Sequence, residues 1–287
     1  MGPGAAVAEV RNAVRACLSD LAAGDLVLAA CSGGADSLAV AAALAFVAPR
    51  AGLRGGGVTV DHGLQPGSAE RAADVADLMS KLGLDPVQGI TVTVHDGAGP
   101  EAAARAARYA ALDTMAREHQ AAAVLLGHTL DDQAETVLLG LARGSGSRSL
   151  AGMPARRDPY RRPLLGLRRA TTAAACAELG LPSWQDPHNS DFRFARARVR
   201  HQVIPALEDA LGPGVAEALA RSARQLRADA ELLDDLAALQ AEQVRCDDGS
   251  WEADRLAALP DALRTRVLRL AAIAAVSAPG MSRRWRP

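Results

Sequence analysis

Residues 26–37 read Leu26-Val27-Leu28-Ala29-Ala30-Cys31-Ser32-Gly33-Gly34-Ala35-Asp36-Ser37, and an alanine-rich stretch continues to Val47. The uncharged apolar run before the glycines is long enough for a buried strand, and the alanines after them favour a helix. Strand, glycine turn and helix form the opening unit of a parallel α/β sheet. Two adjacent glycines remove Cβ atoms, so the N–H groups of 32–37 can converge on an anion in front of a helix N-terminus. Ser32 and Ser37 add hydroxyls for phosphate oxygens. Asp36 would repel a bare phosphate, which predicts an intervening Mg²⁺. The chain has no Gly-Lys-Ser/Thr Walker sequence, so this is a different kind of phosphate loop. A tight turn capped by Asp or Ser would use the same residues for structure alone.

Outward from this unit the alternation continues. A helix is expected over 5–23 before it, then strands over 57–60, 89–94 and 122–126, with helices over 68–82, 101–119 and 130–141 between and after them. Four strands separated by helices predict a doubly wound, mostly parallel sheet whose site lies at the strand C-termini. Beyond about residue 206 the pattern is almost wholly helical. The expected organisation is a nucleotide-binding catalytic domain over 1–206 and an all-helical appendage over 207–287.

Composition narrows the class. The chain has 287 residues, 49% of them hydrophobic, with 64 alanines and a net charge of −1. That apolar content and charge balance argue against disorder. Of 32 cationic residues all but Lys81 are arginine, and from 143 to 205 twelve arginines face four carboxylates, a local excess of 12 − 4 = 8. Such a cluster is a candidate RNA surface, because each phosphate neutralised releases counterions. Cys17, Cys31, Cys176 and Cys246 lie far apart, which excludes a cysteine zinc ribbon. No secretory leader and no uninterrupted membrane-length apolar run is evident, so the expectation is a cytoplasmic protein without membrane contact.

Further candidate residues sit where the strands should end. Asp61-His62 closes the second strand at the expected ligand crevice. Arg105 and Arg108 lie three apart on the helix after Glu101, as a solvated helix face would also place them. Gly127-His128-Thr129-Leu130-Asp131-Asp132-Gln133-Ala134-Glu135-Thr136 follows the fourth strand, with Asp132 and Glu135 on one helix face. Paired acids there suit a bound cation, although first-turn acids also complement a helix dipole.

Ser-Gly-Gly-x-Asp-Ser after a strand resembles the pyrophosphate-binding loop of the N-type ATP-pyrophosphatase superfamily. Val60-Asp61-His62-Gly63-Leu64, Glu101-Ala102-Ala103-Ala104-Arg105 with Arg108-Tyr109, the segment from Gly127, Arg143-Gly144-Ser145-Gly146, Asp186-Pro187-His188-Asn189-Ser190 and Arg196-Ala197-Arg198-Val199-Arg200 extend the likeness. In that order, over about 25–206, they resemble the tRNA(Ile)-lysidine synthase family. The resemblance implies an ATP-dependent ligase that joins L-lysine to the first anticodon cytidine of tRNA(Ile) with anticodon CAU, through an adenylated base and release of pyrophosphate. It implies ATP held by Ser32, Gly33, Gly34, Ala35, Asp36, Ser37, Asp61 and His62, with Mg²⁺ on Asp36. It implies catalytic roles for Asp36, Arg108, His128, Asp132 and Glu135. The last two would bind the lysine ammonium, with His128 or a carboxylate as the base. Arg143, Arg196, Arg198 and Arg200 would contact tRNA, and a second copy of the chain is a candidate partner. A tRNA thiolase of the same superfamily, or a non-catalytic ATP-dependent RNA-binding module, is the alternative. The family's larger members carry further C-terminal tRNA-binding domains, and the expectation here is a compact form without them.

Overall fold

The computed structural model describes residues 3–63, 67–93, 100–144, 146–184, 186, 190–246 and 249–277. Leu64, Val94, Ser145 and residues 187–189, quoted above, lie outside them. The chain runs α1 (Ala5–Cys17), β1 (Leu26–Ala30), α2 (Ala35–Arg50), β2 (Arg54–Asp61), α3 (Ser68–Lys81), β3 (Val87–Thr91), α4 (Pro100–Glu118), β4 (Ala123–Leu126) and α5 (Leu130–Ala142). After α6 (Gly146–Leu150) come β5 (Arg156–Arg157), β6 (Tyr160–Arg161), α7 (Arg169–Glu178), α8 (Ala195–Arg198) and a π-helical turn over Val199–Val203. The C-terminal helices are α9 (Ile204–Leu211), α10 (Val215–Val244), α11 (Ala253–Ala258) and α12 (Asp261–Ser277).

The sheet order is β3-β2-β1-β4-β6-β5, parallel except for the β5–β6 pair. It is the mostly parallel sheet expected from the first strand. β1 and β4 are apolar at every position because both faces are covered. Val27, Ala29, Ala123 and Leu125 pack with α1, α2 and α7, while Leu26, Leu28, Val124 and Leu126 pack with Leu112 and Met115 of α4. The β5–β6 hairpin was not expected. Its strands have two residues each, too few to show a periodic pattern.

Two boundaries differ instructively. α1 stops at Cys17, although Leu18 and Leu21 still pack on the core after the helix ends, which is why the apolar spacing runs past it. α2 starts at Ala35 rather than Leu38, with Gly34 as its N-cap. The phosphate-loop residues Asp36 and Ser37 are therefore already helical, at the positive end of the helix dipole.

The helical run over 195–211 passes through residue 206, and the backbone turns at Gly212 and Gly214, both at positive φ. α10 then buries Ala216, Ala223, Ala230, Ala237 and Val244 at seven-residue intervals. Its start packs on Leu130 and Ala134 of α5, and its end on Val267 of α12. No helix among the described residues is long and apolar enough to cross a membrane.

Candidate functional site

β1 has β2 on one side and β4 on the other, so the direction of sheet winding switches between β1 and β4. Loops leaving the C-termini of two such strands diverge and leave a crevice. Here that crevice is a cavity of about 770 Å³, with Ser32, Asp36, His62, Arg108, His128 and Asp132 among its lining residues.

The 32–37 loop is built to keep its shape. Gly33 has φ +85°, and a Cβ there would lie 2.8 Å from Val75 Cγ2 of α3. The Ser37 hydroxyl accepts from Ser32 N–H at 3.1 Å, donates to Gly34 O at 2.9 Å and lies 3.3 Å from Ser32 Oγ. Both hydroxyls expected to hold phosphate are thus engaged with the loop itself. From outside, Trp184 N–H donates to Gly33 O at 2.9 Å. Gly127, at the end of β4, must also be glycine: a Cβ there would sit 2.8 Å from Asp36 C and O and Ser37 N.

Asp36 accepts from the Thr172 hydroxyl, and its Oδ2 lies 3.5 Å from Arg169 Nε. Burial pushes its carboxyl above the ordinary value, against the pull of Thr172 and Arg169. A carboxylate short of positive charge beside an anion-binding loop fits a Mg²⁺ held by one protein oxygen, phosphate oxygens and water. The described residues form no group of three His, Cys, Asp or Glu side chains suited to a metal, so Asp36 would be the protein's share of such a site.

Across the cavity, Thr129 caps α5 in a reciprocal box: Thr129 N–H donates to Asp132 Oδ2 at 2.8 Å, and Asp132 N–H donates to Thr129 Oγ1 at 3.4 Å. Asp132 Oδ1 accepts from Arg169 Nη2 at 2.8 Å and from Arg200 Nη2 at 3.3 Å. Burial alone would raise this carboxyl, but Arg169, the Thr129 backbone and the neighbouring cations outweigh it and the net shift is downward. Glu135 is fully buried and clasped by Arg200, with Nε to Oε1 at 2.7 Å and Nη2 to Oε2 at 3.1 Å. Arg169 Nη2 donates to its Oε1 at 3.4 Å, and Arg196 Nε lies 3.5 Å from Oε2.

This arrangement corrects two expectations. Glu135 is fully buried behind Arg169, Arg196 and Arg200 and does not line the cavity, so a lysine ammonium bound there would not reach it. Arg196 and Arg200, expected on an RNA face, turn inward onto α5. Arg143 and Arg198 do lie on the surface, with Arg198 Nη1 donating to Phe192 O at 2.6 Å.

The third wall carries His62, Arg108 and His128. His62 Nδ1 and Arg108 Nε are buried with no hydrogen-bond partner among the described residues. Both residues line the cavity, and orphaned polar atoms beside it are what a missing polar ligand leaves behind. Burial lowers the pKa of both groups, reinforced for His62 by Arg108. Asp61 is also on the cavity wall, and its Oδ1 accepts from Gly63 N–H at 2.9 Å to shape the turn. His128 Nδ1 accepts from Arg162 Nε at 3.2 Å. Burial, with Arg108, Arg162 and Arg105 nearby, lowers the imidazole to about 3.

Arg162, Arg169 and Thr172 were missed as individuals. The arginines entered the sequence reading only as charges in a basic stretch, and no local motif says that they return to the first and fourth loops.

A strand-end glycine loop, an acidic first helical turn and unpaired polar atoms around one crevice define a nucleotide-dependent enzyme of the PP-loop class. A PP-loop domain profile matches residues 8–207. The chain is 60% identical to a tRNA(Ile)-lysidine synthase of Thermobifida fusca, covering 96% of this chain and 85% of that one. It is 54% identical to the enzyme of the same name from Streptomyces coelicolor, over 98% and 88% of the two chains. The fold also resembles the U34-tRNA thiolase NcsA of Methanococcus maripaludis with its [4Fe-4S] cluster, at TM-score 0.63 and 20% identity over 77% of this chain and 80% of that one. The chain belongs to the tRNA(Ile)-lysidine synthase family.

Proposed function

We propose that the chain joins L-lysine to C2 of the first anticodon cytidine of tRNA(Ile) bearing CAU, at the expense of ATP. The observation that carries this reading is the single cavity that brings the 32–37 loop and Asp36 to face Asp132, His128 and Arg108. In the first step the cytidine 2-oxo oxygen attacks the α-phosphorus and pyrophosphate leaves. The N–H groups of the loop and the N-terminus of α2 receive the departing phosphates. Mg²⁺ held by Asp36 would supply charge neutralisation there. In the second step the lysine ε-amine, deprotonated, attacks C2; the C2–O bond breaks, AMP departs and one proton is lost.

Asp132 is our candidate for the lysine ammonium, because it faces the cavity and Arg169 or Arg200 can yield one bond to it. Glu135 then acts from behind, by holding Arg200. Arg108, on the cavity wall, brings its guanidinium charge to a phosphoryl oxygen. Arg143 and Arg198 remain candidate tRNA contacts. We further assign the catalytic domain to 1–206 and the helical domain to 207–287, place the protein in the cytoplasm, and leave a homodimer to be tested. A thiolase reading finds little support in the thiols: Cys31 and Cys176 are buried, which pushes both up, Cys176 to about 11.

The test is transfer of labelled lysine to a tRNA(Ile) CAU transcript with ATP. Label should enter with one pyrophosphate released per turnover and should be absent from a transcript carrying uridine at the same position. Asp36→Ala should abolish tRNA-dependent pyrophosphate release. Release without lysine incorporation would point to another adenylating activity.

A further inference from the structure

His128 and Arg162 form an arrangement that decides what the histidine can do. Arg162 is buried, and each arm of its guanidinium is spoken for: Nη1 donates to Pro154 O at 3.0 Å, Nη2 to the Tyr109 hydroxyl at 3.3 Å, and Nε to His128 Nδ1 at 3.2 Å. Tyr109 is itself held edge-on against Tyr160, with ring centroids 4.9 Å apart. An arginine Nε–H donates and never accepts. The Nδ1 it meets must therefore present a lone pair, and the proton of the neutral ring must sit on Nε2.

We propose that Arg162 is a positioning residue that locks His128 as a neutral Nε2–H donor aimed at the reaction cavity. His128 then cannot take the proton from the lysine amine. It hydrogen-bonds instead to an oxygen that gains negative charge, either a phosphoryl oxygen of the nucleotide or the cytidine 2-oxo group. Its neighbours support this: Arg105, Arg108 and Arg162 all disfavour an imidazolium, against Asp132, which favours it. Burial acts with the three cations, so the ring stays neutral through the working range. Removal of lysine's proton is thereby left to Asp132 or to an oxygen of the substrates. The inference rests on the proposed reaction only for the identity of the atom that meets Nε2–H; the tautomer stands independently of it.

The tautomer can be read on the unaltered full-length chain by ¹⁵N-histidine spectroscopy, with the His128 signals assigned by their loss in His128→Gln. The expected spectrum shows Nε2 protonated, Nδ1 unprotonated and no titration above about pH 5. A proton on Nδ1, or an imidazolium near neutral pH, would overturn the proposal whatever the activity. In Arg162→Met the locked signature should give way to exchange between tautomers, and kcat for pyrophosphate release should fall about 10²-fold, as for loss of one oriented donor. KM for ATP should change far less. Arg162→Lys, which keeps a donor on a long stem, should recover part of kcat and of the wild-type spectrum. A kcat loss in Arg162→Met with the His128 signals unchanged would reduce Arg162 to a packing role.

Discussion

The two sides of the cavity are held together in opposite ways. The 32–37 loop takes its shape locally: Ser32, Gly34 and Ser37 bond to one another within six residues, while Trp184 N–H, the Thr172 hydroxyl on Asp36, the Cys176 thiol on Ala35 O and the close approach of Gly127 tie it to other segments. The acidic face of α5 is assembled from afar. Glu135 is matched by Arg169, Arg196 and Arg200, contributed by α7, by α8 and by the π-helical turn after it. The backbone and hydroxyl groups of Ser32, Gly33, Gly34 and Ser37 carry no charge and can wait for an anion at little electrostatic cost. A fully buried carboxylate cannot wait unpaired, so the fold brings cations to it.

The largest expected effect breaks the distant half. Arg200→Met removes the two-pronged partner of buried Glu135 and should cost about 3–5 kcal/mol in urea unfolding, because an incompletely matched charge stays behind. Adding Glu135→Met to that variant should return much of the loss. If the single variant unfolds like the parent, the arginine clasp is not what stabilises α5.

Next comes the seam between the halves. Gly127→Ala puts a methyl group 2.8 Å from backbone atoms of Asp36 and Ser37, which have no flexible end to move aside. About 1–3 kcal/mol of overpacking strain is expected, together with weaker ATP binding by calorimetry, since the first turn of α2 must shift. Gly33→Ala tests the same loop differently. Its obstacle is the Val75 methyl, and its strain comes from φ +85°. A Gly33→Ala, Val75→Ala double variant should relieve the clash and keep the strain. Full recovery would show that the left-handed backbone is dispensable.

This contrast also explains what could be read in advance. The sheet, its order of helices and the phosphate loop were legible because Leu26 to Ser37 carries its meaning within a dozen residues. Asp132 and Glu135 were legible as a pair, three apart on one face, but not their state. Nothing local shows that Arg169 and Arg200 fold back over them, and a basic stretch looks the same in sequence whether it faces RNA or a buried acid. The N-terminus of α1 makes the same point. It has no cap of its own, and Glu178, at the end of α7, accepts from Val7 N–H at 3.0 Å.

Within α5 itself the effect should be smaller. Thr129→Ala deletes the hydroxyl that caps the helix and that also donates to Asp132 Oδ2 at 2.9 Å. A cap of this kind is worth about 1 kcal/mol. Thr129→Ser should lose little, since the serine hydroxyl can make the same bonds. A loss in Thr129→Ala as large as that in Arg200→Met would mean that the cap, not the arginine clasp, fixes the position of Asp132.

The smallest change in stability should come from Arg198, and it separates the two uses of arginine most cleanly. Arg198 is exposed, bonded to the Phe192 and Arg193 carbonyls through one nitrogen, while Arg196 and Arg200 on either side of it face Glu135. Arg198→Ala should stay within about 0.5 kcal/mol of the parent. If its outward charge meets one tRNA phosphate, the slope of log K against log salt should flatten by about one unit. Arg200→Met should do the reverse, with a large loss of stability and little change in slope at salt conditions where it remains folded. Equal slopes for Arg198→Ala and the parent would put the tRNA on another face and leave Arg198 as a brace for its own loop.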